Sequence, residues 1–253
     1  KSRFGKGILV ISCLLINTGD NPDRPRPGRI WLRNLYRVHQ RLCMAFPSSS
    51  ASLADPDFLL PFKPDGFAKG HVHVPRKPDS GFLFRVDPLA GNGAAIIVQS
   101  ASMPDWQYAF HNAGFLLSAE PQVKAFEPVF SLDMQYRFRL LANPTRKICT
   151  KTGEDGKRRN GKRVPVASDK LEEWLHSRAE RAGFSVVKNS LSLTPSYVYV
   201  SARNENLKGQ KLRSVRYDGV ITITDADLFK EAVTNGIGGG KGFGFGLVSL
   251  ARI

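Results

Sequence analysis

The chain has 253 residues, room for one large domain or two small ones, and 42% of them are hydrophobic, an ordinary share for a protein with a packed core. Its formal net charge of +15 favours a polyanionic partner, nucleic acid before an anionic membrane. Three cysteines, Cys13, Cys43 and Cys149, lie far apart with no C-x-x-C pair, which argues against a disulfide framework or a zinc site and suits a reducing cytosol.

Lys1, Arg3 and Lys6 precede an apolar run at residues 8–16, an arrangement that mimics a short signal peptide. No A-x-A-like cleavage site follows, and the run is well below the ~20 residues that span a bilayer. A buried first strand is expected there, followed by a loop over residues 17–29. Residues 31–46 have helical periodicity, with Leu35, Val38, Leu42, Ala45 and Phe46 on one face. Arg33, Arg37, Gln40 and Arg41 fall opposite, with Tyr36 and His39 on the border. Beyond a Ser/Ala/Pro loop, extended pieces are expected at GHVHVPR, at residues 81–87 and at 94–102, then a short helix opened by Pro104.

The second half repeats that order. A strand at residues 134–144 leads into a basic loop or hairpin rich in glycine turns. A helix follows, capped by Ser168 or Asp169, with Leu171, Trp174, Leu175 and Ala182 as its core stripe and Gly183 closing it. Two strands joined by the turn NENLKG come next. An Asp225-capped helix ending at Asn235, a glycine-rich run and a last strand complete the set. The expected architecture is α+β: two tandem β-α-β-β-α-β, ferredoxin-like (RRM-like) domains, over residues 1–124 and 125–253. Such a fold does not by itself give a function.

Seven of the eleven residues from Gly236 to Gly246 are glycine. The run could be a linker, but Phe243, Phe245 and the strand after it argue against that. It fails the P-loop spacing, because Asn235 stands where the first glycine belongs and Gly242 where Ser or Thr should be. It fails the dinucleotide fingerprint too. KGFGF matches the opening of the RNP1 pattern, but Gly246 and Val248 then break it. A glycine loop between a helix and a strand can still hold a phosphate through its amides, with Lys241 supplying charge, and the partial RNP1 match keeps RNA in view.

The carboxylates are scattered rather than clustered for metal. His71 and His73 alternate on one strand with no further ligand beside them, and there is no nucleophile-elbow motif. His111 and His176 lack obvious partners. His39 stands apart because Tyr36 shares its helix at i, i+3 spacing and Arg33, Arg37 and Arg41 surround it. A histidine beside a phosphodiester, with cations to stabilise charge on phosphorus, is what metal-free RNA cleavage needs. A border histidine with a structural role fits the spacing as well.

Taken together, NLYRVHQRLCMAF after a strand ending LLINTGD, the helix start PDWQYAF, the strand FRLLANPT and the terminal GIGGGKGFGFGLVSLAR resemble the CasE-type CRISPR endoribonucleases, the crRNA-processing subunits of type I-E Cascade. The resemblance runs from about Ile8 to Ile253. It implies two ferredoxin-like domains that bind the stem-loop of a CRISPR repeat and cut at its base, without metal or other cofactor. The cut leaves a 2′,3′-cyclic phosphate, and the product stays bound. It implies a cytoplasmic protein partnered by the other Cascade subunits, chiefly the crRNA backbone subunit, and not by a membrane. The family's active histidine falls on His39 and its tyrosine on Tyr36. Its glycine-rich loop falls on residues 236–246, with Gly238, Gly240 and Lys241 as expected RNA contacts. From charge and placement, further RNA contacts are expected at Arg33, Arg37 and Arg41, at Lys157, Arg158, Arg159 and Lys162, and at Lys208, Lys211, Arg213 and Arg216. In this reading the glycine run organises binding, and the chemistry sits far away in sequence.

Overall fold

The structure, a computed structural model, describes residues 8–19, 26–46, 81–90, 93–148, 156, 161, 163–200 and 209–253. The first four strands are β1 (Leu9–Ile16), β2 (Phe82–Pro88), β3 (Ala94–Ser100) and β4 (Gln122–Phe126), and they form one antiparallel sheet in the order β2-β3-β1-β4. Helices α1 (Pro27–Leu32) and α2 (Leu35–Cys43) connect β1 to β2, and α3 (Trp106–Phe110) connects β3 to β4. This is the interleaved pair of split β-α-β crossovers of a ferredoxin-like fold.

The second half builds the same thing. Strand β5 (Gln135–Ala142) is followed by a short hairpin, β6 (Thr145–Lys147) with β7 (Arg163–Pro165). Next come α4 (Leu171–Arg181), β8 (Phe184–Val186), β9 (Ser192–Val200), β10 (Gln210–Ile223), α5 (Ala226–Asn235) and β11 (Val248–Arg252). The sheet order is β11-β5-β10-β8, with β9 also paired to β10. Two tandem ferredoxin-like units is therefore the architecture, as the periodicity led one to expect. Each unit has its own core. Leu14, Val38, Leu42, Phe84, Ile96 and Trp106 lie in the first, and Leu140, Leu175, Tyr217, Ile221 and Phe229 in the second. Among the described residues no helix is long and apolar enough to cross a membrane.

Three local expectations are corrected. The single helix expected over residues 31–46 is two helices, and the first begins at Pro27, inside the expected loop. The break falls at Asn34, whose side chain accepts the Tyr36 amide at 3.1 Å and so caps α2; asparagine serves a helix better at its start than in its interior. Helix α4 starts at Leu171 with no side-chain cap, because Ser168–Lys170 form a separate 3-10 turn ahead of it. Asp225 does cap α5, accepting from the amides of Asp227 and Leu228. The expected strand GHVHVPR, with His71 and His73, the turn NENLKG apart from its final glycine, and the tip of the basic hairpin, apart from Gly156 and Gly161, lie outside the described residues.

Candidate functional site

Helix α2 carries the strongest chemical candidates. Capped by Asn34, it buries Leu35, Val38 and Leu42, and Tyr36 and His39 emerge one turn apart, both partly exposed. The His39 ring lies over two phenylalanines of β2, with centroids 5.3 Å from Phe82 and 6.1 Å from Phe84 and interplanar angles of 31° and 25°. Its Nδ1 atom is buried. At the other edge of the ring, Nε2 is 3.5 Å from the Cys43 Sγ, one helical turn on.

The glycine run closes this site from the other unit. Its short 3-10 turn, Lys241–Phe243, packs on both α2 and β2. A β-carbon placed on Gly242 would stand 3.9 Å from both Cε1 and Nε2 of His39. The run is fixed rather than floppy. Phe245 is fully buried, Gly246 donates its amide to the Leu141 carbonyl at 2.8 Å, and Ile237 donates to the Gly246 carbonyl at 2.9 Å. Gly236 and Gly244 adopt φ of 75° and 80°. Side chains there would meet Leu83 at 2.8 Å and Phe84 at 3.2 Å, both on β2. These two positions need glycine both for their backbone angles and for the close approach. The run and the histidine are remote in sequence, as expected, and adjacent in space.

The cations divide into two groups. Arg33 is exposed at the break between α1 and α2, and Arg37 is partly exposed on α2. Lys211 on β10 holds its ammonium 4.0 Å above the Tyr197 ring and 5.8 Å from that of Tyr199; the tyrosines are 55% and 64% exposed. Strand β9, which carries both rings, also touches α2. Arg213 reaches the Val166 carbonyl and the Ser168 hydroxyl, both at 2.6 Å. Arg216 pairs with Asp218 at 2.7 Å, which also accepts from Arg139.

Arg41 is the correction among these expected contacts. Arg41 is only 2% exposed, and its Nη1 donates to the Ala109 carbonyl at 2.9 Å and to the Asn112 side chain at 3.1 Å. Burial brings its guanidinium down to about 10. It ties α2 to the segment around α3 and offers no surface to RNA. Its place opposite the apolar face misled because α2 is covered on more than one side. Lys241 turns back to donate to the Asn235 carbonyl at the end of α5, where a cation suits the helix C-terminus. Gly238 lies against Trp174 and Gly240 against Phe245, so both have packing reasons to be glycine. Lys157, Arg158, Arg159, Lys162 and Lys208 lie outside the described residues. Sequence reasoning missed Gly242, Cys43, Phe82 and Phe84. Of these only Cys43, four residues after His39, had a legible spacing signal. Among the described residues no three His, Cys, Asp or Glu side chains converge as a metal site would require.

Comparison with known proteins points one way. A family model for CRISPR associated proteins matches residues 18–252. The CRISPR system Cascade subunit CasE of Escherichia coli is 28% identical over 229 residues, spanning 89% of this chain and 96% of that protein. The CRISPR-associated endoribonuclease Cse3 of Thermus thermophilus is 27% identical over 180 residues, 67% of this chain and 79% of that one. A solved structure of the CRISPR endoribonuclease Cse3 bound to 19 nt RNA superimposes with a TM-score of 0.68 at 22% identity, covering 97% of this chain and 100% of that one. At that identity the likeness is one of fold.

Proposed function

We propose, for a chain that belongs to the CRISPR associated protein family, the role of a cytoplasmic endoribonuclease that cuts CRISPR repeat hairpins out of precursor RNA and holds the product within a Cascade-type assembly. The relatives named as a Cascade subunit and as an endoribonuclease support this role. The observation that carries it is the position of His39: its Nε2 edge lies beside Gly242, where the two units meet and where the glycine itself adds no side chain.

The chemistry needs only an intramolecular attack. The 2′-oxygen of the nucleotide before the cut attacks phosphorus, the bond from phosphorus to the 5′-oxygen breaks, and a 2′,3′-cyclic phosphate and a 5′-hydroxyl result. The 2′-hydroxyl proton must leave and the 5′-oxygen must gain one; His39 moves a proton through Nε2 in one of these transfers. Tyr36, one turn earlier on the same side of α2, orients the ribose or phosphate. Arg33 and Arg37 stand on the same segment to stabilise the charge gathered on phosphorus. No step calls for a metal ion. The first of the two domains runs to the end of β4 at Phe126, so the division expected between residues 124 and 125 moves to just after that strand.

The test is a single incubation of the protein with end-labelled repeat hairpin in EDTA. The expected product is one cut at the base of the stem bearing a cyclic phosphate. Tight binding without any cut would make the protein an RNA-holding module instead, and loss of cutting in EDTA would end the metal-free reading.

A further inference from the structure

His39 is held on several sides, and one of the contacts has no role in the chemistry so far. From β2 it meets Phe82 and Phe84, from the turn Gly242 beside Lys241, and from its own helix Cys43, with Tyr36 one turn earlier. The phenylalanines support the face of the ring and leave it a choice of tautomer and in-plane orientation. Nδ1 is buried, so protons exchange with substrate through the edge that carries Nε2. At that edge stands the Cys43 Sγ, 3.5 Å away. Cys43 is part of no disulfide, and the helical spacing that brings it there is fixed by α2 itself.

We propose that Cys43 is a positioning residue whose thiol sets the tautomer and orientation of His39 and presents Nε2 to the RNA. The proposal rests on the reading of His39 as the proton-transfer group. A thiol suits this task because it is a weak donor and a weak acceptor. It biases the resting ring, and it yields Nε2 to a ribose hydroxyl, which makes the stronger hydrogen bond. A carboxylate at that position would hold the ring too firmly, and an apolar side chain would offer Nε2 neither a donor nor an acceptor. The geometry around a proton-transfer group matters steeply, since a displacement near 1 Å can cost about a hundredfold in rate.

The experiment compares the whole protein with its Cys43→Ala, Cys43→Ser and His39→Ala variants. Single-turnover cleavage of the repeat hairpin is followed across the pH range where histidine titrates, together with RNA affinity, thermal melting and the ring-nitrogen NMR signals of His39. Cys43→Ala should cut about tenfold more slowly, with a displaced histidine limb in its pH profile, a changed ratio of ring tautomers, and unaltered affinity and melting. Cys43→Ser, which keeps a donor, should recover most of the rate. Wild-type rates and tautomers in Cys43→Ala would overturn the proposal and leave the contact as packing. Equal losses in both Cys43 variants, accompanied by lower melting, would overturn it too. An active His39→Ala variant would instead sink the reading of His39 itself, an outcome that the tautomer measurement does not depend on and so cannot be confused with.

Discussion

The two units share a strand order and differ in what they do with the connection after their second helix. In the first unit that connection turns home: Asn17 donates to the Leu116 carbonyl at 2.8 Å, Ser118 to the Leu15 carbonyl at 3.0 Å, and the segment leads straight into the edge strand β4. In the second unit the glycine run leaves its own helix α5, crosses to the other unit, and lays its backbone on Leu83, Phe84 and His39 before returning to β11. The glycines are thus the condition for one unit's backbone to come up against the other unit's β2 and His39, the group proposed here to move the proton. The largest break in that picture would come from His39, which the run abuts. His39→Ala should lower single-turnover cleavage by about 10²–10⁴-fold with binding intact, the scale of losing a general acid or base. A variant that cuts at the wild-type rate would show that the two units meet there for stability alone.

Next in size is a substitution within the run that should destabilise the fold rather than remove the chemistry. A methyl group at Gly236 would lie 2.8 Å from the Leu83 Cδ1 and 2.9 Å from the Gly246 carbonyl, on a backbone with φ of 75°. With ψ of 156° this is an extended positive-φ backbone that is essentially reserved for glycine and costs about 1–3 kcal/mol for a residue with a β-carbon, and the crowding adds to it. Gly236→Ala should lower melting by several degrees at about 2–4 °C per kcal/mol. Melting equal to wild type would mean that the crossing is looser than its contacts imply.

Arg41 tests the first unit in the same currency. Arg41→Met keeps the bulk but strands the Ala109 carbonyl and the Asn112 side chain that the guanidinium now serves. Leaving such buried groups unserved costs about 1–3 kcal/mol, so melting should fall while the salt dependence of RNA binding stays as it was. A shallower salt dependence would restore Arg41 to the RNA face.

Arg41 also shows where sequence reading stops. The spacing of Tyr36 and His39 on one helix was legible, because the helical repeat alone puts them on one side. So were the longer strands β1, β2, β3, β5 and β10, whose apolar residues alternate or run continuously; β4, exposed along most of its length, and the three-residue β8 carried no such signal. Arg41 lay on the polar side of the same helix and is nonetheless buried, because what covers a helix is decided by elements far away in sequence. Gly242 was hidden for the same reason. Among seven glycines in eleven residues, only the crossing of the run onto α2 singles out the one beside the imidazole. Its backbone angle is ordinary, unlike those of Gly236 and Gly244, since it is absent from the positive-φ glycines. Gly242→Ala should therefore fold normally and still cut about tenfold more slowly, as the added methyl crowds the edge through which RNA must arrive. Full activity would move the scissile phosphate to another side of His39.

The smallest effect expected belongs to Lys211, and it sharpens the contrast with Arg41. Both are cations assigned to RNA by charge and placement, but Lys211 is exposed and Arg41 is not. The ammonium of Lys211 sits above Tyr197, near Tyr199, on a strand that touches α2. A cation held over exposed aromatic rings keeps its place without being buried, so it meets a phosphate at little cost in side-chain ordering. Lys211→Ala should weaken RNA binding by a few fold. It should also flatten the slope of log affinity against log salt by about one, the mark of a single lost phosphate contact. The rate of cutting once RNA is bound should not change, because Lys211 lies on the second unit's strand and not among the groups around His39. An unchanged slope would remove β10 from the RNA face, and a slower cut at saturating RNA would bring it into the site that the glycine run abuts.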